Sequence, residues 1–236
     1  MAQKKLQRFA DIKTFSNVLE YPEAMKGNWK SFFKNTNPVV LELACGRGEY
    51  TVGLAQLFPG QNFIGVDVKG NRMYIGAKKC LTEKITNACF LRTQIEKLAM
   101  YFAMTEVDEI WITFPDPQLR ISKAKKRLTH PRFLRLYQQI LKPGGFIHLK
   151  TDSPDLYRFT KLVAELYDVT IVEDKDNVYA DADVKEALKI KTHYESLDIA
   201  QSKKIYYLKF TLPAIIKNID DQLQEILKNE EQLDRK

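Results

Sequence analysis

Cysteine is scarce in this chain of 236 residues: Cys45, Cys80 and Cys89 are an odd number, lie in apolar stretches and show none of the paired spacings of a zinc site or disulfide framework. That argues against a disulfide-stapled module and predicts reduced thiols and a cytoplasmic location. Histidine also occurs three times, at His130, His148 and His193, too scattered to suggest a metal, and none is expected. No run of about 18 apolar residues occurs, and Met1–Asp11 is polar and basic, unlike a signal peptide. The expectation is a protein that is neither secreted nor membrane-spanning. Internal repeats and low-complexity linkers are absent too.

What is present is enough apolar side chain, 44% of residues with 11% aromatic, for one sizeable core. The formal net charge is +7, unevenly spread. Residues 213–236 hold four basic and six acidic side chains, which leaves +9 on the rest. Between Arg120 and Arg135 stand seven basic residues, Arg120, Lys123, Lys125, Lys126, Arg127, Arg132 and Arg135, and no acid. At that density a phosphate backbone is a natural partner, and a solvated charged face is the plain alternative.

Short apolar runs alternate with stretches of helical period. Strands are expected at 39–43, 62–66, 88–91, 109–114 and 146–150, with helices at 49–58, 71–81, 95–101, 131–141 and 154–167. Pro59-Gly60 and Lys142-Pro143-Gly144-Gly145 punctuate the pattern as turns. Strands separated by helices imply parallel pairing through right-handed crossovers. Two late runs, 169–172 and 205–210, have no full helix between them and are expected to pair as an antiparallel hairpin at the sheet edge. The fold class is therefore α/β with a mixed sheet. Ile215, Ile219, Leu223, Ile226 and Leu227 place an amphipathic helix in 213–236, whereas residues 1–37 show no clear period.

Two loops carry the chemistry. Glu42-Leu43-Ala44-Cys45-Gly46-Arg47-Gly48 links a strand to a helix, so it lies at the carboxyl edge of the sheet, where open α/β folds bind ligands. Gly46 and Gly48 permit positive φ and close backbone approach, although a ligand-free tight turn would use them as well. A dinucleotide fingerprint would want glycine or alanine where Thr51 stands and has no use for Glu42. An acid-x-Gly-x-Gly-x-Gly pattern of methyltransferases fits better, with Ala44 replacing its first glycine. Asp67 ends the second strand, where a carboxylate can accept both ribose hydroxyls or cap the next helix. Gln94, after the third strand, faces an adenine edge or plain solvent. In Phe114-Pro115-Asp116-Pro117 the prolines stiffen the turn, and the residues before them are expected to be extended, so Asp116 is presented rigidly.

At this point the chain resembles the bacterial tRNA (guanine-N7-)-methyltransferases over roughly residues 39–210. The resemblance rests on the ordered set Glu42–Gly48, Gly65-Val66-Asp67-Val68-Lys69-Gly70-Asn71-Arg72, Phe114–Pro117, Leu149-Lys150-Thr151-Asp152 and Thr192-His193-Tyr194-Glu195. It implies a Rossmann-like class I methyltransferase fold, seven strands in a mixed sheet with helices on both faces and an antiparallel last strand. It also implies S-adenosylmethionine as methyl donor, no metal, and tRNA as partner, with 7-methylguanosine formed in the variable loop. By the same resemblance Glu42, Gly46, Gly48, Asp67, Gln94 and Asp116 line the cofactor site, Asp116 is the catalytic carboxylate, and Arg120, Asp152, Thr192, His193, Tyr194 and Glu195 contact substrate. A methyltransferase domain would occupy 38–212, with an N-terminal extension at 1–37 as a candidate tRNA contact, in a monomer or homodimer.

Two positions depart from the family pattern. Gln118 stands where a tryptophan usually follows Pro-Asp-Pro, and the basic cluster after it is recast as Leu119-Arg120-Ile121-Ser122-Lys123. Asp152 has a second role open to it as a cap of the next helix, and Tyr194 and Glu195 have one as surface residues. An RNA-binding module without catalysis shares the basic face. A nicotinamide oxidoreductase would explain Gly46, Gly48 and Asp67 but neither Glu42 nor the basic run.

Overall fold

The computed structural model describes residues 2–197 and 204–233. Its first elements come from the segment without a readable period: α1 (Ala2–Ile12), β1 (Val18–Glu20) and α2 (Trp29–Phe33). The alternation follows as β2 (Val39–Leu43), α3 (Glu49–Leu57), β3 (Asn62–Asp67), α4 (Gly70–Thr82), β4 (Ala88–Arg92), α5 (Leu98–Tyr101) and β5 (Val107–Thr113). Next come α6 (Pro131–Ile140), β6 (Leu141–Thr151), α7 (Pro154–Leu166) and β7 (Thr170–Lys175). The chain closes with α8 (Glu186–Lys189), α9 (His193–Ser196), β8 (Tyr206–Thr211) and α10 (Asp220–Leu233).

All strands join one sheet in the order β1-β4-β3-β2-β5-β6-β8-β7. β8 runs antiparallel to both β6 and β7, and the other pairings are parallel. The late hairpin is thus present, but its second strand is inserted between β6 and the edge. β2 is buried along its whole length and β7 alternates between exposed and half-buried, as befits a central and an edge strand. One apolar layer joins Leu41, Ile64, Ile112 and Leu149 to Phe133, Tyr137 and Phe159. The opposite layer joins Val40, Phe90 and Trp111 to Tyr50, Leu54 and Met73, so helices cover both faces.

Among the described residues eight strands stand where seven were expected. The extra one, β1, is three residues long, too short for an alternating pattern, and it takes its order from β4 through the register Val18↔Phe90 to Glu20↔Arg92. Trp29 fixes the same segment from the other face: fully buried, it donates from Nε1 to the Tyr101 carbonyl at 2.9 Å and stacks on Phe102 at 5.1 Å. Val18–Glu20 and Trp29 are therefore part of the packed body.

The last helix begins at Asp220, later than the apolar spacing implied. Gln138 takes the carbonyls of Pro213 and Ala214, and Arg135 takes that of Lys217, holding the strap outside helical geometry. Ile215 is 82% exposed, and its neighbour Ile216 enters the core instead. Arg135 also pairs with Asp220, so one member of the basic run serves the fold.

Candidate active site

The β2–α3 loop is built around two buried acids. Ala44, Gly46 and Gly48 have φ of 57°, 56° and 76°, so the left-handed geometry of a glycine pattern persists with alanine in its first place. A Cβ on Gly48 would come within 2.4 Å of the Phe90 ring, so this glycine serves the packing of α3 on β4, and Gly46 is the one that lines the cleft. Glu42, 3% exposed, accepts from the Thr51 amide at 2.7 Å, from the Thr51 hydroxyl, and from the Thr113 hydroxyl at 2.7 Å. Thr51 is thus explained as the partner of Glu42. Burial pushes the Glu42 carboxyl up to about 7, against the lowering effect of these bonds. Burial, with Glu42 and Asp67 nearby, pushes the Cys45 thiol well above its ordinary value, so it stays protonated.

Asp67 ends β3 with both oxygens engaged: one accepts from Gly46 N–H at 3.0 Å, the other from Lys69 N–H at 2.8 Å. Lys69, not Asp67, occupies the cap position of α4. These bonds fix the carboxylate plane and leave each oxygen a second lone pair. Gln94 is exposed, in extended conformation, on the same side of the cleft.

Across the cleft, Phe114 and Gln118 bracket Pro115-Asp116-Pro117 with φ of 46° and 48°. Phe114 therefore departs from the extended backbone expected before proline, and its amide bond to the Lys150 carbonyl at 2.8 Å holds it there. Asp116 is exposed and accepts from the Gln118 amide at 3.0 Å. Arg127, almost fully buried, donates to the carbonyls of Pro117, Gln118 and Leu119 and lies 4.4 Å from the centre of the Phe159 ring. It belongs to the support of this loop. Arg132 pairs with Glu96 at 3.4 Å. Lys123, Lys125 and Lys126 lie exposed on a 3-10 turn, and no salt bridge among the described residues engages them.

The third element is the end of β6. Ser153, not Asp152, caps α7 by accepting from the Leu156 amide at 3.2 Å, which leaves Asp152 on the cleft wall. Thr192 accepts from the Glu195 amide at 3.1 Å. Glu195 itself turns inward to Lys150 at 2.9 Å and accepts from the Tyr179 hydroxyl. The Tyr194 side chain lies outside the described residues.

These pieces enclose a cleft of about 860 Å³ at the carboxyl ends of β2, β3, β5 and β6. Glu42, Gly46, Asp67, Gln94, Asp116, Asp152 and Thr192 line it, whereas Gly48, Arg120, His193 and Glu195 do not. Sequence reasoning missed Thr51, Thr113, Arg127 and Lys150. Lys150 had a signal, a single cation in the strand Phe146-Ile147-His148-Leu149-Lys150, where burial demands a partner. Among the described residues no cluster of three or more His, Cys, Asp or Glu is arranged to hold a metal, and no helix is long and apolar enough to cross a membrane.

The lining favours S-adenosylmethionine over a dinucleotide. Glu42, Glu49, Asp67, Glu96, Asp116, Asp152 and Asp155 outnumber Arg47, Lys69, Arg72 and Lys126, a balance that suits a sulfonium and opposes a pyrophosphate. A parallel sheet closed by an antiparallel last strand, with this cleft at its carboxyl edge, defines a class I methyltransferase. Solved structures share the fold: a 30S ribosomal A1408 methyltransferase from an uncultured bacterium has a TM-score of 0.60 at 20% identity, covering 81% of this chain and 96% of that one. The 16S rRNA methyltransferase KamB has a TM-score of 0.61 at 15% identity, covering 79% and 94%.

A family model described as a putative methyltransferase matches residues 36–208. The tRNA (guanine-N(7)-)-methyltransferase of Porphyromonas gingivalis is 49% identical over 213 residues, 85% of this chain and 86% of the relative. That of Bacteroides thetaiotaomicron is 46% identical over 222 residues, 90% and 87%, and that of Alkaliphilus oremlandii 32% identical over 195 residues, 83% and 91%. The chain belongs to the tRNA (guanine-N(7)-)-methyltransferase family.

Proposed function

We propose that the chain transfers the methyl group of S-adenosylmethionine to N7 of a guanine in the variable loop of tRNA, in the cytoplasm. The observation that carries this reading is the opposition of Asp67 on one wall of the cleft to Asp116 and Asp152 on the other, beside three exposed lysines. When bound, S-adenosylmethionine supplies an electrophilic methyl on a sulfonium centre. Guanine N7 has an in-plane lone pair, so no residue has to remove a proton before attack, and holding the reactants together supplies most of the catalysis.

The duties divide by wall. Asp67 accepts the ribose hydroxyls with the lone pairs that Gly46 and Lys69 leave, and Gln94 meets the adenine edge. Glu42, with three donors already on it, shapes the loop above which the methionine portion lies. Asp116 faces the base as it becomes cationic and stabilises that charge. Asp152 accepts from the guanine N–H donors, and Thr192 contacts the nucleotide from the facing segment. Lys123, Lys125 and Lys126 bind the tRNA backbone.

The test is to incubate the purified protein with labelled S-adenosylmethionine and unmodified tRNA, digest the RNA and identify the labelled nucleoside. Label in 7-methylguanosine is expected. Label in another nucleoside would keep the class and overturn the base, and tight tRNA binding without label would favour a binding module.

A further inference from the structure

Lys150 has zero exposure, yet a lysine ammonium normally stays in water. Its Nζ donates to the Leu188 carbonyl at 2.8 Å, to the Ile190 carbonyl at 3.0 Å and to Glu195 at 2.9 Å. The rings of Tyr50 and Phe114 lie 5.3 and 5.5 Å from it. Both carbonyls belong to the segment that leads to Thr192, and Glu195 belongs to the turn that follows. The backbone of Lys150 faces the other way in function, since its carbonyl accepts the Phe114 amide at 2.8 Å at the head of the Asp116 turn. Two residues further on, Asp152 enters the cleft.

We propose that Lys150 is the positioning residue of the tRNA-facing wall. Its ammonium, neutralised by Glu195, clamps residues 188–195 so that Thr192 stands at the cleft, while its carbonyl orients the turn bearing Asp116. Glu195 acts through Lys150 and not on the nucleotide. A methionine would fill the same space without desolvating a charge, so stability alone gives little reason for the pair. Removing the ammonium leaves the Leu188 and Ile190 carbonyls without this donor and Glu195 with the Tyr179 hydroxyl but no cation. The inference rests on the reading of the cleft as a tRNA methylation site.

The experiment compares Lys150→Met, Glu195→Gln and the double variant with wild type. It reads tRNA KM, kcat, the S-adenosylmethionine Kd by titration, and hydrogen exchange across residues 186–196. Lys150→Met is expected to lower kcat/KM for tRNA by about tenfold to a hundredfold, with the S-adenosylmethionine Kd unchanged and exchange across 186–196 accelerated. The double variant is expected to be no worse than Lys150→Met, because the two residues act as one unit. Additive losses, or equal losses of cofactor and tRNA binding, would overturn the proposal. If Lys150→Met fails to fold, Glu195→Gln decides: a raised tRNA KM at constant cofactor Kd supports the clamp, and unchanged tRNA kinetics refutes it. If wild type transfers no methyl to tRNA, the functional reading fails, and the clamp is judged from hydrogen exchange alone, unchanged protection refuting it.

Discussion

On the wall made by β2 and β3, most donors to the acids are near neighbours in sequence: Thr51 lies 9 residues beyond Glu42, and Gly46 lies 21 before Asp67, with Thr113 of β5 the distant one, 71 residues beyond Glu42. On the wall made by β5 and β6, Lys150 reaches 38 to 45 residues ahead to Leu188, Ile190 and Glu195. The first wall is therefore built mainly within one strand–loop–helix–strand unit, with Thr113 of β5 closing it. The second is assembled from separate segments and exists only when the tertiary structure does. A methyl donor common to many enzymes suits the more local wall, and a polymeric substrate suits the one composed of loops.

The largest effect should come from the second wall. Asp116→Ala is expected to cut methyl transfer by at least about a hundredfold, as loss of a charge-stabilising group does, in a folded protein that still unfolds cooperatively. Near-normal turnover would return Asp116 to a structural role. On the first wall, Glu42→Ala should cost stability, because one side chain accepts from three donors; about 3 kcal/mol is the expected loss by denaturant titration.

Glu42 also sharpens the comparison through pH. Its carboxyl rises from 4.5 to about 7 on folding, so between those values the native state holds a proton that the unfolded chain has released. The stability this contributes is present below 4.5 and lost as pH rises through about 7. Wild type should therefore lose up to roughly 3 kcal/mol from this group across that window, and Glu42→Gln should not. Parallel pH profiles of unfolding free energy for the two proteins would contradict the assignment.

Smaller effects follow. Replacing Lys123, Lys125 and Lys126 by glutamine should reduce the salt slope of tRNA binding by up to about 3, roughly one per phosphate contact. An unchanged slope would move the backbone contact elsewhere. Arg127 is left out because it holds three loop carbonyls. Ala44→Gly should stabilise the protein by up to about 1 kcal/mol, since Ala44 has a φ of 57°.

The difference between the walls also marks how much could be read in advance. The alternation of strands and helices, both loops, and the positions of Glu42, Gly46, Asp67, Gln94, Asp116, Asp152 and Thr192 followed from local pattern or family motif, and these residues share one cleft. The β1 strand did not, because three residues carry no period and β4 imposes their geometry. Nor did the functions of Arg127 and Arg135: a basic run looks uniform in sequence, and only tertiary contacts separate the carbonyl-binding and Asp220-paired arginines from the exposed lysines. Thr51, which looked like a flaw in a glycine fingerprint, is the residue Glu42 requires.

The division of labour between the walls is tested most directly by measuring S-adenosylmethionine Kd and tRNA KM for Asp67→Asn and Asp152→Asn side by side. Asp67→Asn should weaken S-adenosylmethionine and leave tRNA KM near wild type, and Asp152→Asn should do the reverse. Equal losses of both ligands in both variants would contradict it.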